Sequence, residues 1–193
     1  MVVLASASPR RRELLGRICP AFEVVPAAVD ETLPGPPTSD AVAAVALRKA
    51  RAVAGRLGRG VVLGADTVVV LDGEALGKPA SPAQAAAMLR RLRGREHAVV
   101  TGLAAVDAGS GRTATAAETS RVVMASYPDA AIEAYVATGE PLDKAGAYAI
   151  QGAGRVLVAG WTGSFTNIVG LPLEAARRLL AEFGVPVPET PAE

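Results

Sequence analysis

The sequence has 193 residues, a length that fits one compact domain or one domain with two lobes. Hydrophobic residues make up 50% of the chain and charged residues 20%, so a core can form and a wholly disordered protein is excluded. The 20 Lys and Arg residues against 19 Asp and Glu give a net charge of +1, and aromatic residues make up only 4%. This balance argues against stable binding of nucleic acid, through either a positive field or base stacking.

The N-terminal sequence and the single cysteine indicate in which cellular compartment the protein is expected. Cys19 alone excludes an internal disulfide and a cysteine-based zinc cluster, and it fits a reducing cytoplasm. The first apolar stretch precedes the charges at 10–12, whereas a secretory signal carries its charges first. No apolar run approaches the ~20 residues of a membrane span. The sequence therefore predicts a cytoplasmic protein that does not bind membranes.

Strand-like and helix-like segments alternate along the first half of the chain. Ser8 is placed as an N-cap with Pro9 in the first helical turn, and Ser39 or Asp40 is placed to cap the second helix. The predicted elements are a strand at 2–5, a helix at 10–18, a strand at 22–25, a proline-rich loop at 33–37, a helix from 41 to about 57, and short strands at 61–63 and 68–71.

Turn and cap signals continue in the second half. Asp72-Gly73 predicts a hairpin turn, Ser81 and Gln84 form a capping box, and Gly139 is placed to end a helix. The predicted elements are a helix from the capping box to 92, strands at 97–106 and 119–124 joined through a turn at 109–111, a helix at 129–137, a loop at 144–154, a strand at 156–158 and a helix at 172–183.

The interleaved elements predict an α/β fold. Hairpins accompany crossover connections, so a single mixed, twisted sheet flanked by helices is expected. No linker separates two domains, and residues 1–184 are predicted to form one domain around a cleft. The tail 185–193 contains three prolines and is expected to trail along the surface or fray.

Three arginines in the first turn of the first helix are the first candidate for function. Cations at a helix N-terminus oppose the dipole, each at a cost of about 0.3–1 kcal/mol. They make sense if an anion binds there, held by backbone N–H groups, the hydroxyls of Ser6 and Ser8, and the guanidinium groups of Arg10 and Arg11. Three solvated arginines are an equally good interpretation of this segment taken alone.

Asp66 follows an apolar strand and is the second candidate. A carboxylate there is costly to bury without a metal, a basic partner or hydrogen bonds, so Asp66 is a candidate metal ligand or general base. A residue of an Asx turn is the commoner interpretation of such an aspartate.

Lys78, between a glycine and a proline, is the third candidate, because a rigid loop suits it to meeting a phosphate. An exposed loop lysine is the commoner interpretation, and Lys49 and Glu31 are weaker candidates. The chain lacks a P-loop motif and a dinucleotide-binding fingerprint, and its one histidine, His97, is expected to be structural. The remaining Arg, Lys, Asp and Glu residues suit a polyphosphate substrate bridged by a metal.

Five sequence blocks carry a family resemblance. They run in order from residue 4 to residue 173 and resemble the Maf family of nucleoside triphosphate pyrophosphatases, whose members were once described as septum-formation inhibitors. The blocks are LASASPRRRELL at 4–15, GADTV at 64–68, LGKP at 76–79, DKAGAYAIQG at 143–152 and SFTNIVGLPL at 164–173.

The resemblance implies hydrolysis of a nucleoside triphosphate to monophosphate and pyrophosphate, assisted by Mg²⁺ or Mn²⁺. It implies a nucleotide-binding cleft in a fold like that of Maf proteins and inosine triphosphatases, and a cytoplasmic, often homodimeric protein. By motif, Asp66 matches the proton acceptor, and we expect Glu31 and Asp66 to hold the metal. The residues matched to base selection are Arg10, Thr67 and Gln151, and those matched to the phosphate and metal region are Ser6, Arg11, Glu31, Lys49 and Lys78.

Two positions resemble one branch of the family. Asp66-Thr67 and Gln151 resemble the branch that acts on dTTP and UTP, whereas the branch acting on 7-methyl-GTP carries Asp-Gln and a glutamate there. A glutamine offers both a donor and an acceptor, which suits the carbonyl and imide N–H of a pyrimidine. The alternative hypothesis is a non-catalytic regulator of cell division that binds nucleotide or nucleic acid.

Overall fold

A computed structural model describes residues 1–188 of the protein; the last part of the predicted tail, 189–193, lies outside the described residues. The strands are β1 (Val2–Leu4), β2 (Glu23–Val24), β3 (Val61–Leu71), β4 (Glu74–Leu76), β5 (Glu96–Asp107), β6 (Thr113–Met124) and β7 (Val158–Thr162). The helices are α1 (Pro9–Ile18), α2 (Ser39–Ala54), α3 (Pro82–Leu92), α4 (Asp129–Ala137), α5 (Phe165–Val169) and α6 (Leu173–Glu182). Short 3₁₀ turns lie between α4 and β7.

These strands form one mixed sheet of seven. Their order is β2-β1-β3-β5-β6-β7, with β4 paired to β3. β1 runs parallel to β2 and β3, and the other pairs are antiparallel. The predicted α/β class with a mixed sheet flanked by helices is confirmed.

Alternate residues of β3 show how the helices cover the sheet. Val62 packs in a cluster with α2, which covers one face. On the other face, Leu63 packs in a cluster with α1 and α6. Val69 and Leu71 also point to that face, but they pack in a separate cluster with α3 and α4. The two helix groups on this face therefore meet the sheet at different places along β3, with Thr67 between them.

Two glycines let α2 approach the sheet closely. A Cβ on Gly64 would lie 2.3 Å from the carbonyl oxygen of Ala46, and one on Gly102 would lie 2.4 Å from the backbone nitrogen of Ala43. Only a residue without a side chain fits such a contact. The close approach brings the next turns of α2 against the centre of β3.

One edge of β3 is open in its middle. The pairing with β1 ends at Leu4 opposite Leu63, and the pairing with β4 begins at Val69 opposite Leu76. Residues 64–68 therefore have a strand partner, β5, on one side only. Because neighbouring side chains of a strand point to opposite faces, an open edge lets groups from both faces reach the same space.

Several predicted bounds are wrong. β3 is continuous, so Asp66 lies within a strand; the strand that ends beside it is β1. The cap of α2 is Thr38, whose hydroxyl accepts the backbone N–H of Ala41 at 3.2 Å, and α2 ends at Ala54. Val156 lies in a 3₁₀ turn rather than a strand, β6 begins earlier than predicted, and α5 was missed.

Other local predictions are confirmed. Ser8 caps α1 with proline in the first turn, and Ser81 caps α3. Asp72 and Gly73 both have positive φ, of 54° and 80°, as the predicted two-residue hairpin turn requires. α4 has the predicted bounds, and Gly139 follows it with a left-handed backbone.

Gly102→Ala should destabilise the protein by about 1–3 kcal/mol, because the added methyl group overpacks the contact between β5 and α2. Gly16→Ala is the matched control: a Cβ at Gly16 in α1 meets nothing within 4 Å, and the better helix propensity should stabilise the protein by about 0.5–1 kcal/mol. Urea unfolding measures both changes. Equal stabilities for the two variants would contradict the close approach of α2.

Candidate functional site

A cleft of about 620 Å³ opens at the unpaired edge of β3. It is bounded by the start of α1, the middle of β3, one turn of α2 and the segment that follows α4. All ten residues predicted for the site line it: Ser6, Ser8, Arg10, Arg11, Glu31, Lys49, Asp66, Thr67, Lys78 and Gln151. The structure brings these residues together from distant parts of the chain, and their individual roles stay predictions.

A buried lysine joins two carboxylates at the bottom of the cleft. The Nζ atom of Lys49 lies 2.7 Å from Oδ1 of Asp66 and 3.0 Å from Oε1 of Glu31. Lys49 is 5% exposed and Asp66 6%, so each charge needs the other to offset its loss of hydration. The Asx-turn interpretation of Asp66 is wrong, because Asp66 lies inside β3 and pairs with α2 through Lys49.

Glu31 reaches this lysine from a loop that is tied to α2. Oδ1 of Asp30 accepts hydrogen bonds from the backbone N–H and the hydroxyl of Thr32, at 2.9 and 2.6 Å. Arg48 donates to the carbonyl oxygens of Asp30 and Thr32. Burial would raise the pKa of Glu31, but the charge and hydrogen bond of Lys49, with the charges of Lys78 and Arg11, hold the pKa below its usual range.

Arg11 uses most of its hydrogen-bond donors in contacts within the protein. Its Nε donates to the carbonyl oxygen of Gly170 at 2.8 Å, and its Nη1 donates to the carbonyl oxygen of Ala65 at 2.9 Å and to Ser6 Oγ at 3.4 Å. Its Nη2 donates to Thr67 Oγ1 at 2.9 Å. Four of the five guanidinium N–H donors are therefore used to tie the start of α1 to β3 and to the end of α5.

The hydroxyl of Thr67 continues this hydrogen-bonded chain. It lies 2.9 Å from the hydroxyl of Thr101, which donates to the carbonyl oxygen of Asn167 at 3.1 Å. Since Thr101 has one proton and uses it there, Thr67 donates to Thr101 and accepts from Arg11. Thr67 is thus held in one orientation, with one lone pair left to accept a hydrogen bond from a ligand.

The entrance to α1 has free donors. Ser6 Oγ accepts the N–H of Ser8 at 3.2 Å, and Ser8 Oγ accepts the N–H of Arg11 at 3.4 Å, so each hydroxyl keeps its own proton for donation. Within residues 1–188, Arg10 and Lys78 make no hydrogen bond or ion pair. These groups surround a helix N-terminus, where the backbone favours an anion.

Residues that sequence reasoning missed form the opposite wall. Glu140, Asp143, Lys144 and Tyr148 line the cleft beside Gln151. Burial would raise the pKa of Asp143, but the hydrogen bond and charge of Lys144 and the charge of Arg10 hold it below its ordinary value. The motif at 143–152 contains three of the four residues and could have indicated them; Glu140 lies outside every motif.

His97 lies behind this wall and does not line the cleft. Its Nε2 is 2.7 Å from the hydroxyl of Tyr148, and the two rings meet edge to face. The residue is 2% exposed, and burial lowers its pKa to about 4. His97 is therefore neutral at pH 7 and supports Tyr148, which agrees with the expected structural role.

The carboxylates fit a divalent metal held together with a substrate. Among residues 1–188, no group of three or more His, Cys, Asp and Glu side chains is arranged to hold a metal by itself. Asp66 and Glu31 each use one oxygen to contact Lys49, which leaves the other oxygen of each available. Mg²⁺ is usually bound by one or two carboxylates together with substrate phosphates, and this donor set suits that arrangement.

No helix within residues 1–188 is both long enough and apolar enough to cross a membrane. Whether the protein is located in the cytoplasm stays a prediction.

The mixed sheet and its cleft define an α/β protein in which charged residues of both signs meet near the N-terminus of α1. The sequence model of the family described as Maf-like protein matches residues 1–183. The chain therefore belongs to the Maf-like family, as the five motifs predicted.

Curated relatives are similar over nearly their whole length. The chain is 56% identical to the dTTP/UTP pyrophosphatase of Moorella thermoacetica over 96% of each chain. It is 50% identical to the dTTP/UTP pyrophosphatase of Pelotomaculum thermopropionicum, over 95% of this chain and 96% of the relative. Among solved structures, the Ham1 protein of Staphylococcus aureus matches with a TM-score of 0.47 and 21% identity, over 65% of this chain and 72% of that one.

Arg11→Lys should lower the free energy of unfolding by about 2 kcal/mol or more, because one ammonium group cannot reach the acceptors on both β3 and the end of α5 that Arg11 reaches. Arg10→Lys is the matched control, because Arg10 makes no hydrogen bond within the described chain. The free energy of unfolding of this variant should differ from that of the wild type by less than about 0.5 kcal/mol. Urea unfolding compares the two. Similar losses would show that Arg11 does not tie the elements together.

Acid should destabilise the protein through His97. Its pKa is about 4 in the folded protein, below the ordinary histidine value of 6.5, so the unfolded chain takes up the proton first. The contribution of the neutral His97 to the free energy of unfolding is fully present above pH 6.5 and is lost as the pH falls to 4. Between pH 7 and 4 the wild type should lose about 3 kcal/mol more than His97→Gln, as measured by urea unfolding across this range. Parallel pH profiles would contradict the burial of a neutral imidazole.

Proposed function

We propose that the protein hydrolyses dTTP and UTP to the nucleoside monophosphate and pyrophosphate. The observation that carries this proposal is the meeting of free cationic groups with the Lys49–Asp66–Glu31 cluster in one cleft. The relatives that are 50–56% identical to this chain are dTTP/UTP pyrophosphatases, which supports the same activity. Modified pyrimidine triphosphates are included in the proposed substrate class.

The triphosphate binds over the start of α1. Arg10 and Lys78 make no hydrogen bond or ion pair within the described chain, and Ser6 and Ser8 supply hydroxyl donors. Arg11 adds its positive charge and one remaining N–H. Lys49 adds charge at the buried end, where it is fixed between carboxylates. Fixed donors of this kind stabilise the charge that develops on a leaving phosphate without reorganisation.

Asp66 receives the proton of the attacking water. The water oxygen forms a bond to the α-phosphorus, the bond from that phosphorus to the oxygen bridging to the β-phosphorus breaks, and pyrophosphate leaves with the electron pair. Lys49 occupies Oδ1 of Asp66, so Oδ2 is the oxygen available for the proton. The same contact holds the carboxylate in one orientation, which general base catalysis requires.

A divalent cation, Mg²⁺ or Mn²⁺, would be held by the lone pairs of Glu31 and Asp66 that Lys49 does not occupy. When bound, it supplies positive charge that offsets the charge of the departing pyrophosphate.

Base selection is proposed for Arg10, Thr67 and Gln151. The amide of Gln151 carries a donor and an acceptor and makes no hydrogen bond to residues 1–188. Thr67 offers a lone pair in a fixed direction, held by Arg11 and Thr101. These groups fit the alternating carbonyl and N–H groups of thymine and uracil.

The remaining expectations are part of the same proposal. We propose that residues 1–184 act as one domain around the cleft, in a cytoplasmic protein that forms a homodimer and binds no nucleic acid stably. The alternative of a non-catalytic regulator of cell division is not favoured, because the relatives carry the name of an enzyme. Binding of pyrimidine triphosphates without product would support that alternative.

Asp66→Asn should reduce turnover of dTTP by at least about 100-fold, because the amide cannot accept the proton from water. The assay offers dTTP, UTP, 7-methyl-GTP and dATP with Mg²⁺ and identifies the phosphate product. The matched control is Asp40→Asn, an exposed residue in the first turn of α2 outside the cleft, which should keep its activity.

Release of orthophosphate, or equal turnover of all four nucleotides by the wild type, would contradict the proposed activity. Retained turnover in Asp66→Asn would contradict the role of Asp66, provided that its circular dichroism and thermal melt match those of the control.

A further inference from the structure

Glu140 is the acceptor for several backbone groups of the loop that carries Gln151. Its Oε2 accepts the N–H of Ala153 at 3.2 Å, and its Oε1 accepts the N–H of Gly154 at 3.4 Å. Oε1 also accepts the hydroxyl proton of Tyr135 at 2.9 Å. The Tyr135 oxygen in turn accepts the N–H of Ala149 at 3.1 Å. One phenol–carboxylate pair therefore holds the chain on both sides of Gln151.

The fit of this loop against the pair is close. A Cβ on Gly152 would lie 3.0 Å from Oε2 of Glu140, and one on Gly154 would lie 2.6 Å from the hydroxyl oxygen of Tyr135. The side chain of Gln151 makes no hydrogen bond within the described chain, so its placement depends on the backbone that Glu140 and Tyr135 hold. A small shift of this backbone would move the Gln151 amide away from a bound base.

The charge of Glu140 is not suited to holding phosphate. A carboxylate lining a triphosphate cleft repels the phosphates, and both of its oxygens are already used for donors of the protein. Burial and the neighbouring Glu140 raise the pKa of Tyr135, so its hydroxyl keeps the proton that it donates. The pair is thus built to accept backbone donors at the base end of the cleft.

We propose that Glu140 is a positioning residue that sets the base preference of the site by fixing the Gln151 loop. This inference rests on the proposed function. It predicts that Glu140 acts on the choice of base and leaves the phosphate chemistry to the other end of the cleft.

The test compares UTP with CTP, whose bases differ only at the edge with which a glutamine amide can form hydrogen bonds. Glu140→Gln cannot accept from all three donors, and Glu140→Asp keeps the charge but shortens the reach. Both should lower the ratio of kcat/KM for UTP to that for CTP by about tenfold or more. The matched control is Glu133→Gln, which removes a charge from the exposed side of α4 and should keep the wild-type ratio.

A ratio within twofold of the wild type in either Glu140 variant, or an equal loss for both nucleotides, would overturn the inference. If the Glu140 variants do not fold, Tyr135→Phe serves instead, because it keeps the ring and removes only the hydroxyl; it should also relax the ratio. If the wild type releases no pyrophosphate from UTP, the proposed function fails. The ratio of UTP and CTP dissociation constants, measured by calorimetry on the same variants, then tests Glu140 by the same criterion.

Discussion

The early end of β1 beside the long strand β3 determines where the site can lie. Because β1 stops at Leu4 and β4 pairs only from Val69, the middle of β3 has no strand on one edge. Asp66 and Thr67 point to opposite faces, yet both line the same cleft at this edge. A fully paired strand would keep the two side chains on separate sides of the sheet.

The positive charges of the cleft serve different purposes. Lys49 neutralises two carboxylates and Arg11 ties three elements together, so much of their bonding capacity is used before any ligand arrives. Arg10 and Lys78 make no hydrogen bond or ion pair within the described chain. A buried framework of paired charges thus supports a second set of cations that remain available for a polyanion.

Local signals in the sequence predicted much of the fold, and the five family motifs contain most of the residues that line the cleft. Ser8-Pro9 and Asp72-Gly73 predict their cap and turn because these residues act through neighbouring backbone groups. The sequence at 64–67 could not show that β3 is continuous. Whether a polar residue such as Asp66 can lie within a strand depends on where the neighbouring strand ends, and a local pattern does not contain that information.

Site features that depend on distant contacts were also beyond sequence reasoning. The main role of Arg11 needs an acceptor at Gly170, 159 residues away. Glu140 belongs to no motif in the sequence, and its hydrogen bonds become visible only when the loop at 149–154 is folded against it. The motifs contain most of the residues that line the cleft, whereas Glu140, which holds a neighbouring segment in place, lies outside all of them.

The open edge of β3 has a consequence for how molecules of this protein meet one another. Unpaired backbone groups on a sheet edge are a template for strand addition, the first step of many aggregation processes. Here Arg11 already occupies the carbonyl oxygen of Ala65, which removes one acceptor from that template. The arginine that ties α1 to β3 therefore also makes this edge a poorer template for strand addition.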